Sequence, residues 1–290
     1  MKMYSNILLL SKFYLIILFF AYTTAYSQNF SEQDLEIFNS KIKLANEKNL
    51  KDLPLNEIFV EIAKSFISTP YIAHTLEITE KEELVINLRG LDCTTFLETS
   101  LALSLCIKND KTSFEDFQNF LTHIRYRGGL IKEYPSRLHY FSDWIFDNKK
   151  KQLINDVTKE LDGIKIKFNV NYMSKNPHLY KHLTNNDNFV SEIKKYEKDI
   201  SNRVYYYIPA NNIASIEDKI QNGDIIALTS NQKGLDIRHV GIAIKKDNNK
   251  TYFLHAPQIG SFVQVTNEIL SDYVKKNKKH SGIIVLRLNQ

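Results

Sequence analysis

Apolar residues along this chain change their rhythm twice. An unbroken run from Phe13 to Ala21 comes first, helical spacing follows, and short β-branched strings close the sequence. Leu35, Phe38, Ile42 and Ala45 mark one face of a helix, with Ser31 and Asp34 at capping-box spacing at its start. Ile58, Phe59, Ile62 and Phe66 predict a second helix over 56–66, ending before Thr69-Pro70-Tyr71. Leu84 to Leu88 reads as a short strand, and Phe96, Leu97, Leu101 and Leu105 as the helix after it. Ser113 and Asp116 cap a helix carrying Phe114, Phe117 and Leu121.

The middle is less regular. Arg125 to Gly129 reads as a loop, and Leu138, Phe141, Trp144 and Ile145 share a helical face over 138–147. Ile164, Ile166, Phe168 and Val170 alternate with polar residues as in a half-buried strand, and 189–200 predicts a helix. In the last third, Ile225–Leu228, His239–Ile244, Thr251–His255 and Ile283–Leu288 are strands separated by Asn, Asp, Gly and Lys turns, which suggests an antiparallel sheet. Helices first and strands later give an α+β plan. No repeat or low-complexity linker divides the chain, so one unit over 28–290 is expected, with inserted elements between about residues 110 and 215.

The first apolar run has a targeting reading. Lys2 and Lys12 precede or flank it, its length falls short of a membrane span, and Ala25-Tyr26-Ser27 has the small-x-small pattern of a cleavage site. Residues 1–27 are therefore expected to be a signal peptide, with the protein periplasmic or secreted and without stable membrane insertion after cleavage. Removing Lys2 and Lys12 lowers the formal charge of +5 by two, too mild a surplus to imply nucleic acid. The run Lys149-Lys150-Lys151 reads as a solvated face.

Candidate chemistry centres on Cys93. Asp92 is a plausible N-cap, so Cys93 opens a helix where free N–H groups and the helix dipole would pull the thiol toward thiolate. Cys106, some 20 Å further along the same helix, is too far for a disulfide and reads as core. His239 begins one strand and His255 closes the next, so a hairpin would bring them together. His255 would then orient His239, and His239 would take the thiol proton. Two structural histidines are the plainer alternative. Arg137, His139 and Tyr140 are candidates for holding carboxylate or sugar groups, against a reading as cap and core aromatics. His178 and His182 are four apart without a third ligand at zinc-protease spacing, so no metal or other cofactor is expected.

With these residues in hand, the chain resembles the NlpC/P60 superfamily of papain-like cell-wall hydrolases. The matching pieces are Thr69-Pro70-Tyr71, Asp92-Cys93-Thr94, Gly223-Asp224-Ile225, His239-Val240-Gly241-Ile242 and Leu254-His255-Ala256. Gly90 to Phe96, Arg125 to Gly129 and Ser136 to Trp144 are similar, more specifically, to its DUF1460 branch, which is associated with N-acetylmuramoyl-L-alanine amidases. The resemblance implies an NlpC/P60 papain-like core with large insertions and a peptidoglycan or muropeptide substrate. It also implies Cys93 as nucleophile, His239 as base, His255 as the orienting residue and Tyr71 lining the site. Thr94-Thr95 departs from the usual small pair after the cysteine, and the long interval to His239 suggests that the insertion shapes substrate choice. The alternatives implied are a stem-peptide endopeptidase or a non-catalytic wall-binding protein on the same fold.

Overall fold

A computed structural model describes residues 29–246 and 249–289. The expected signal peptide over 1–27 lies outside the described residues, as do Asp247 and Asn248 of the predicted turn. Among the described residues, no helix is long and apolar enough to cross a membrane.

Helix α1 (Glu32–Glu47) starts at the Ser31–Asp34 capping box, α2 (Leu55–Lys64) follows Pro54, and α3 (Cys93–Lys108) starts at Asp92. Every residue of α3 from Thr95 to Ile107 is buried, so this helix is enclosed on all sides. Two of its polar side chains are answered internally: Ser104 Oγ donates to Ser100 O at 2.7 Å, and Glu98 meets Arg125 and Trp144. Helix α4 (Phe114–Arg125) is capped by Ser113, and α5 (Phe141–Lys150) packs Trp144 fully into the core.

Three short strands follow, β1 (Ile154–Asp156), β2 (Ile164–Ile166) and β3 (Tyr205–Pro209), with α6 (Tyr172–Lys175) and α7 (Asp187–Asn202) between the last two. Strands β4 (Ile225–Ser230), β5 (Ile237–Lys245), β6 (Thr251–His255) and β7 (Gln264–Val265) precede α8 (Leu270–Lys276) and β8 (His280–Leu288). All pairings are antiparallel, in the order β2-β3-β8-β4-β5-β6-β7, and β1 joins β8 beside β3. The expected insertion therefore supplies β1, β2 and β3 to the same sheet.

Both faces of the sheet are covered. Ile225, Ala227, Val240, Ile242, Leu254, Ile284 and Leu286 join the helical core on one face. On the other, Ile226, Leu228, Ala243, Phe253, Ile283 and Val285 pack with Ile213, Leu270 and Val274. Continuous apolar runs in β4 and β8, rather than strict alternation, follow from this two-sided burial.

Several elements differ from the sequence reading. Residues 84–88 belong to no sheet: the Ile86 N–H donates to Asn29 O at 2.9 Å, and side chains meet Val85 and Leu88. Arg125 Nη1 donates to Val85 O at 2.8 Å, the Leu88 N–H donates to Asp34 Oδ1 at 2.8 Å, and Tyr126 Oη donates to Glu82 and to Glu83 O. Helix α5 starts at Phe141 rather than Leu138, since Arg137 is held in an isolated antiparallel bridge with Tyr126. The strand at 164 stops at Ile166, leaving Phe168 and Val170 as buried loop residues.

Candidate active site

Cys93 owes its position to the cap in front of it. The Thr95 N–H donates to Asp92 Oδ1 at 2.7 Å and the Asp92 N–H donates to Thr95 Oγ1 at 2.9 Å, which sets the first turn of α3 directly after Asp92. Leu91 N–H donates to Pro70 O and Ile72 N–H to Leu91 O, so the strap carrying Tyr71 lies alongside the nucleophile candidate. Cys93 and Tyr71 face one cleft of about 700 Å³ with His239, His255 and Tyr273.

The histidines come from neighbouring strands. His239 Nε2 and His255 Nδ1 are 2.7 Å apart, and both rings are buried. The register pairs Ile242 with Leu254, so the two histidines sit diagonally across the β5–β6 ladder. Phe253 stands beside both rings, with centroids 5.7 Å from His239 and 4.7 Å from His255. Gly241 makes that possible: a Cβ there would lie 2.6 Å from Leu254 O and 2.7 Å from the Phe253 ring.

A second local device aims the site. Leu228 pairs with His239 and Thr229 with Ile237, which leaves Arg238 as the extra residue of a β-bulge. On the other side of β4, Thr229 pairs with Gly282 and Ser230 with His280, so Ser281 is extra in β8. The two strands flanking the end of β4 are both bulged there, and Arg238, His239 and His280 all face the cleft. His239 is the third residue of β5 rather than its first.

Electrostatics overturn one expectation. Burial is the largest effect on Cys93 and, with the nearby Asp92 carboxylate, pushes the thiol up to about 12, against weaker support for the thiolate from the backbone of Val240 and from Thr94. Desolvation exceeds the helix-start effect, so the resting group is a thiol rather than a preformed thiolate. Cys93 is nevertheless half-buried, open to the cleft, which moderates that burial. Burial likewise holds His239 well below its usual range, helped by the charges of neighbouring groups, and takes His255 to about 3. Tyr71 is pushed up to about 12 by burial and then by the charges of Cys93 and Asp92.

The other candidates lie apart. Arg137 is buried and does not line the cleft: its Nη2 lies 2.6 Å from Glu77 Oε1 and its Nε 3.2 Å from Glu82 Oε1. It departs from the expected substrate-facing arginine because those carboxylates already occupy its fork. His139 and Tyr140 line a second cavity of about 400 Å³ that shares Leu235 with the cleft. His139 Nε2 is 2.9 Å from Tyr134 O, and Tyr140 Oη donates to Glu197 Oε1 at 2.7 Å. His178 and His182 are not on one α-helix; His182 stacks on Tyr134 at 4.8 Å. Sequence reasoning missed Tyr273, Arg238 and His280, for which α8 and the two bulges gave no local signal.

The family model described as N-acetylmuramoyl-L-alanine amidase-like (AmiA-like) matches residues 61–283. A solved N-acetylmuramoyl-L-alanine amidase from Bacteroides uniformis is 38% identical, with a TM-score of 0.77 over 81% of this chain and 99% of that chain. A Bacteroides fragilis structure provisionally named a xylanase is 42% identical, with a TM-score of 0.74 over 79% of this chain and 100% of that one. A Legionella pneumophila protein matched by the DUF1460 family model shares the fold at 22% identity, with a TM-score of 0.66 over 89% of this chain and 96% of that one. No curated protein matches. A family match over most of its length, together with relatives of 38% and 42% identity spanned almost end to end, places the chain in the AmiA-like, N-acetylmuramoyl-L-alanine amidase-like family.

Proposed function

We propose that the chain is an exported cysteine amidase on an NlpC/P60 papain-like core. It hydrolyses the amide between the lactyl group of N-acetylmuramic acid and L-alanine in peptidoglycan or muropeptides. One observation carries this reading: a thiol at a helix start and a hydrogen-bonded histidine pair line the same cleft. A xylanase reading fits less well, because glycoside hydrolysis ordinarily needs two carboxylates across the scissile bond. Glu268 is the one carboxylate lining the cleft among the described residues, and Lys276 Nζ holds it at 2.6 Å.

The chemistry follows from the tautomer. With the shared proton on His239 Nε2, donated to His255 Nδ1, the Nδ1 of His239 keeps its lone pair. As Cys93 Sγ bonds to the lactyl carbonyl carbon, the thiol proton passes to that Nδ1 and negative charge moves to the carbonyl oxygen. The Cys93 backbone N–H, which has no intrahelical acceptor at the first helical position, and the Tyr71 hydroxyl supply donors for that oxygen. The C–N bond then breaks, and His239 gives the proton to the departing L-alanine amine. Water, deprotonated by His239, hydrolyses the Cys93 thioester to a carboxylic acid and restores the thiol.

Mass spectrometry of a defined muropeptide after incubation tests this. Free muramic lactyl acid and a stem peptide beginning with L-alanine are expected. Cys93→Ala should lose several powers of ten in rate while keeping its circular dichroism spectrum. Release of L-alanyl-D-glutamate would replace the amidase reading by an endopeptidase, and near-wild-type turnover by Cys93→Ala would overturn it.

A further inference from the structure

The bulged end of the sheet holds cationic groups that the hydrolytic steps above do not use. Arg238, the extra residue of the β5 bulge, faces the cleft, and its Nη1 donates to Gln232 at 3.0 Å, leaving its other guanidinium donors. Its charge reaches across the cleft, since it disfavours protonation of both His239 and His280. Lys279, an exposed side chain, lines the same cleft. His280 is 7% exposed, and its Nδ1 is buried without a hydrogen-bond partner. Glu268, the one opposing carboxylate, is already neutralised by Lys276. A cleft lined by two cations is matched by an anion with several acceptor lone pairs.

We propose that Arg238, Lys279 and His280 form a carboxylate subsite that selects an acidic stem peptide on the leaving-group side of the scissile amide. This rests on the amidase reading, which places the substrate's peptide in this cleft. Arg238 meets the carboxylate with its remaining donors, Lys279 adds a point charge, and His280 completes the lining beside them. The two bulges lie at Arg238 and next to His280, at the end of the sheet that carries His239. The subsite recognises the charge of the second stem residue rather than the sugar.

The probes are two muropeptides that differ at one group, with D-glutamate or D-isoglutamine as the second stem residue, so that an α-carboxylate becomes a carboxamide. Titration calorimetry with the Cys93→Ala protein reads binding independently of hydrolysis. The acidic muropeptide should bind about tenfold or more tightly, as expected for a charge-assisted contact. Arg238→Gln and Lys279→Gln, each in the Cys93→Ala background, should bring the ratio of the two dissociation constants toward one. Equal affinities, no measurable binding of either probe, or a ratio that survives both substitutions would overturn the subsite. A tenfold preference in the Cys93→Ala protein that collapses on both substitutions, with no amide cleavage by the unsubstituted enzyme, would leave the subsite standing and sink the amidase reading.

Discussion

At Cys93 two effects oppose each other, and their relative size sets how the nucleophile forms. The helix start favours a thiolate by a modest amount, whereas burial among Tyr71, Val240 and the histidine strands disfavours any charge. With burial pushing the thiol up, the neutral thiol dominates at pH 7. Burial disfavours protonation of both histidines, so in the proposed mechanism no resting thiolate–imidazolium pair forms and the proton moves as the sulfur attacks. Inactivation by iodoacetamide should therefore accelerate steadily from pH 6 to 9, roughly tenfold per pH unit, without levelling off. A plateau below pH 7 in the second-order inactivation rate would show a preformed ion pair. Sequence reading located the cysteine because the Asp92 cap is local. It mistook the direction of the shift because desolvation is set by residues distant in the chain.

Elements whose signals are local were legible, and those built from long-range contacts were not. Ser31–Asp34, Asp92–Thr95 and Ser113–Asp116 each close a capping box within one turn, and α1, α3 and α4 start where those residues predict. The segment at 84–88 reads as a strand because its apolar pattern is right, yet its partners are the side chains of Asp34 and Arg125 and the carbonyl of Asn29. The β5 and β8 bulges exist only relative to β4, so nothing in either strand alone announces them. Arg137 illustrates the same limit. It stands in a motif that suggests substrate contact, but Glu77 and Glu82 claim its guanidinium inside the protein. Arg137→Ala should therefore destabilise the fold, by about 3 to 5 kcal/mol for an uncompensated buried pair, with loss of activity following loss of folded protein. Urea denaturation checks this. An unchanged midpoint combined with a raised KM would return Arg137 to the substrate.

For the molecule as a whole, the α+β plan was visible in the order of helices and strands, whereas the strand order was not. β8, last in the chain, lies between β4 and β3, a non-local pairing that no periodicity encodes. That arrangement buries the histidines contributed by the sheet, and the burial links the proposed catalytic residues to global stability. His255 is 1% exposed and held at about 3 by desolvation, while His280 is held at about 4 by burial and then by Arg238. An unfolded histidine titrates near 6.5, so between about 6.5 and 3 the unfolded chain binds a proton at position 255 that the folded chain refuses. The stability contributed by the neutral ring is complete above that range and is lost as pH falls, by about 1.4 kcal/mol per pH unit for each such histidine. Glu98 and Asp236, whose carboxyls burial pushes upward, act in the opposite sense, so the whole-protein slope is a difference. Comparison with His255→Gln isolates one histidine. Unfolding free energies measured in urea at pH 7, 5.5 and 4.5 should fall more steeply for the unsubstituted protein, so that its difference from the variant shifts in the variant's favour on acidification. Parallel pH dependences for the two proteins would mean that His255 accepts a proton within the fold, and the neutral histidine pair on which the proton transfer depends would be wrong.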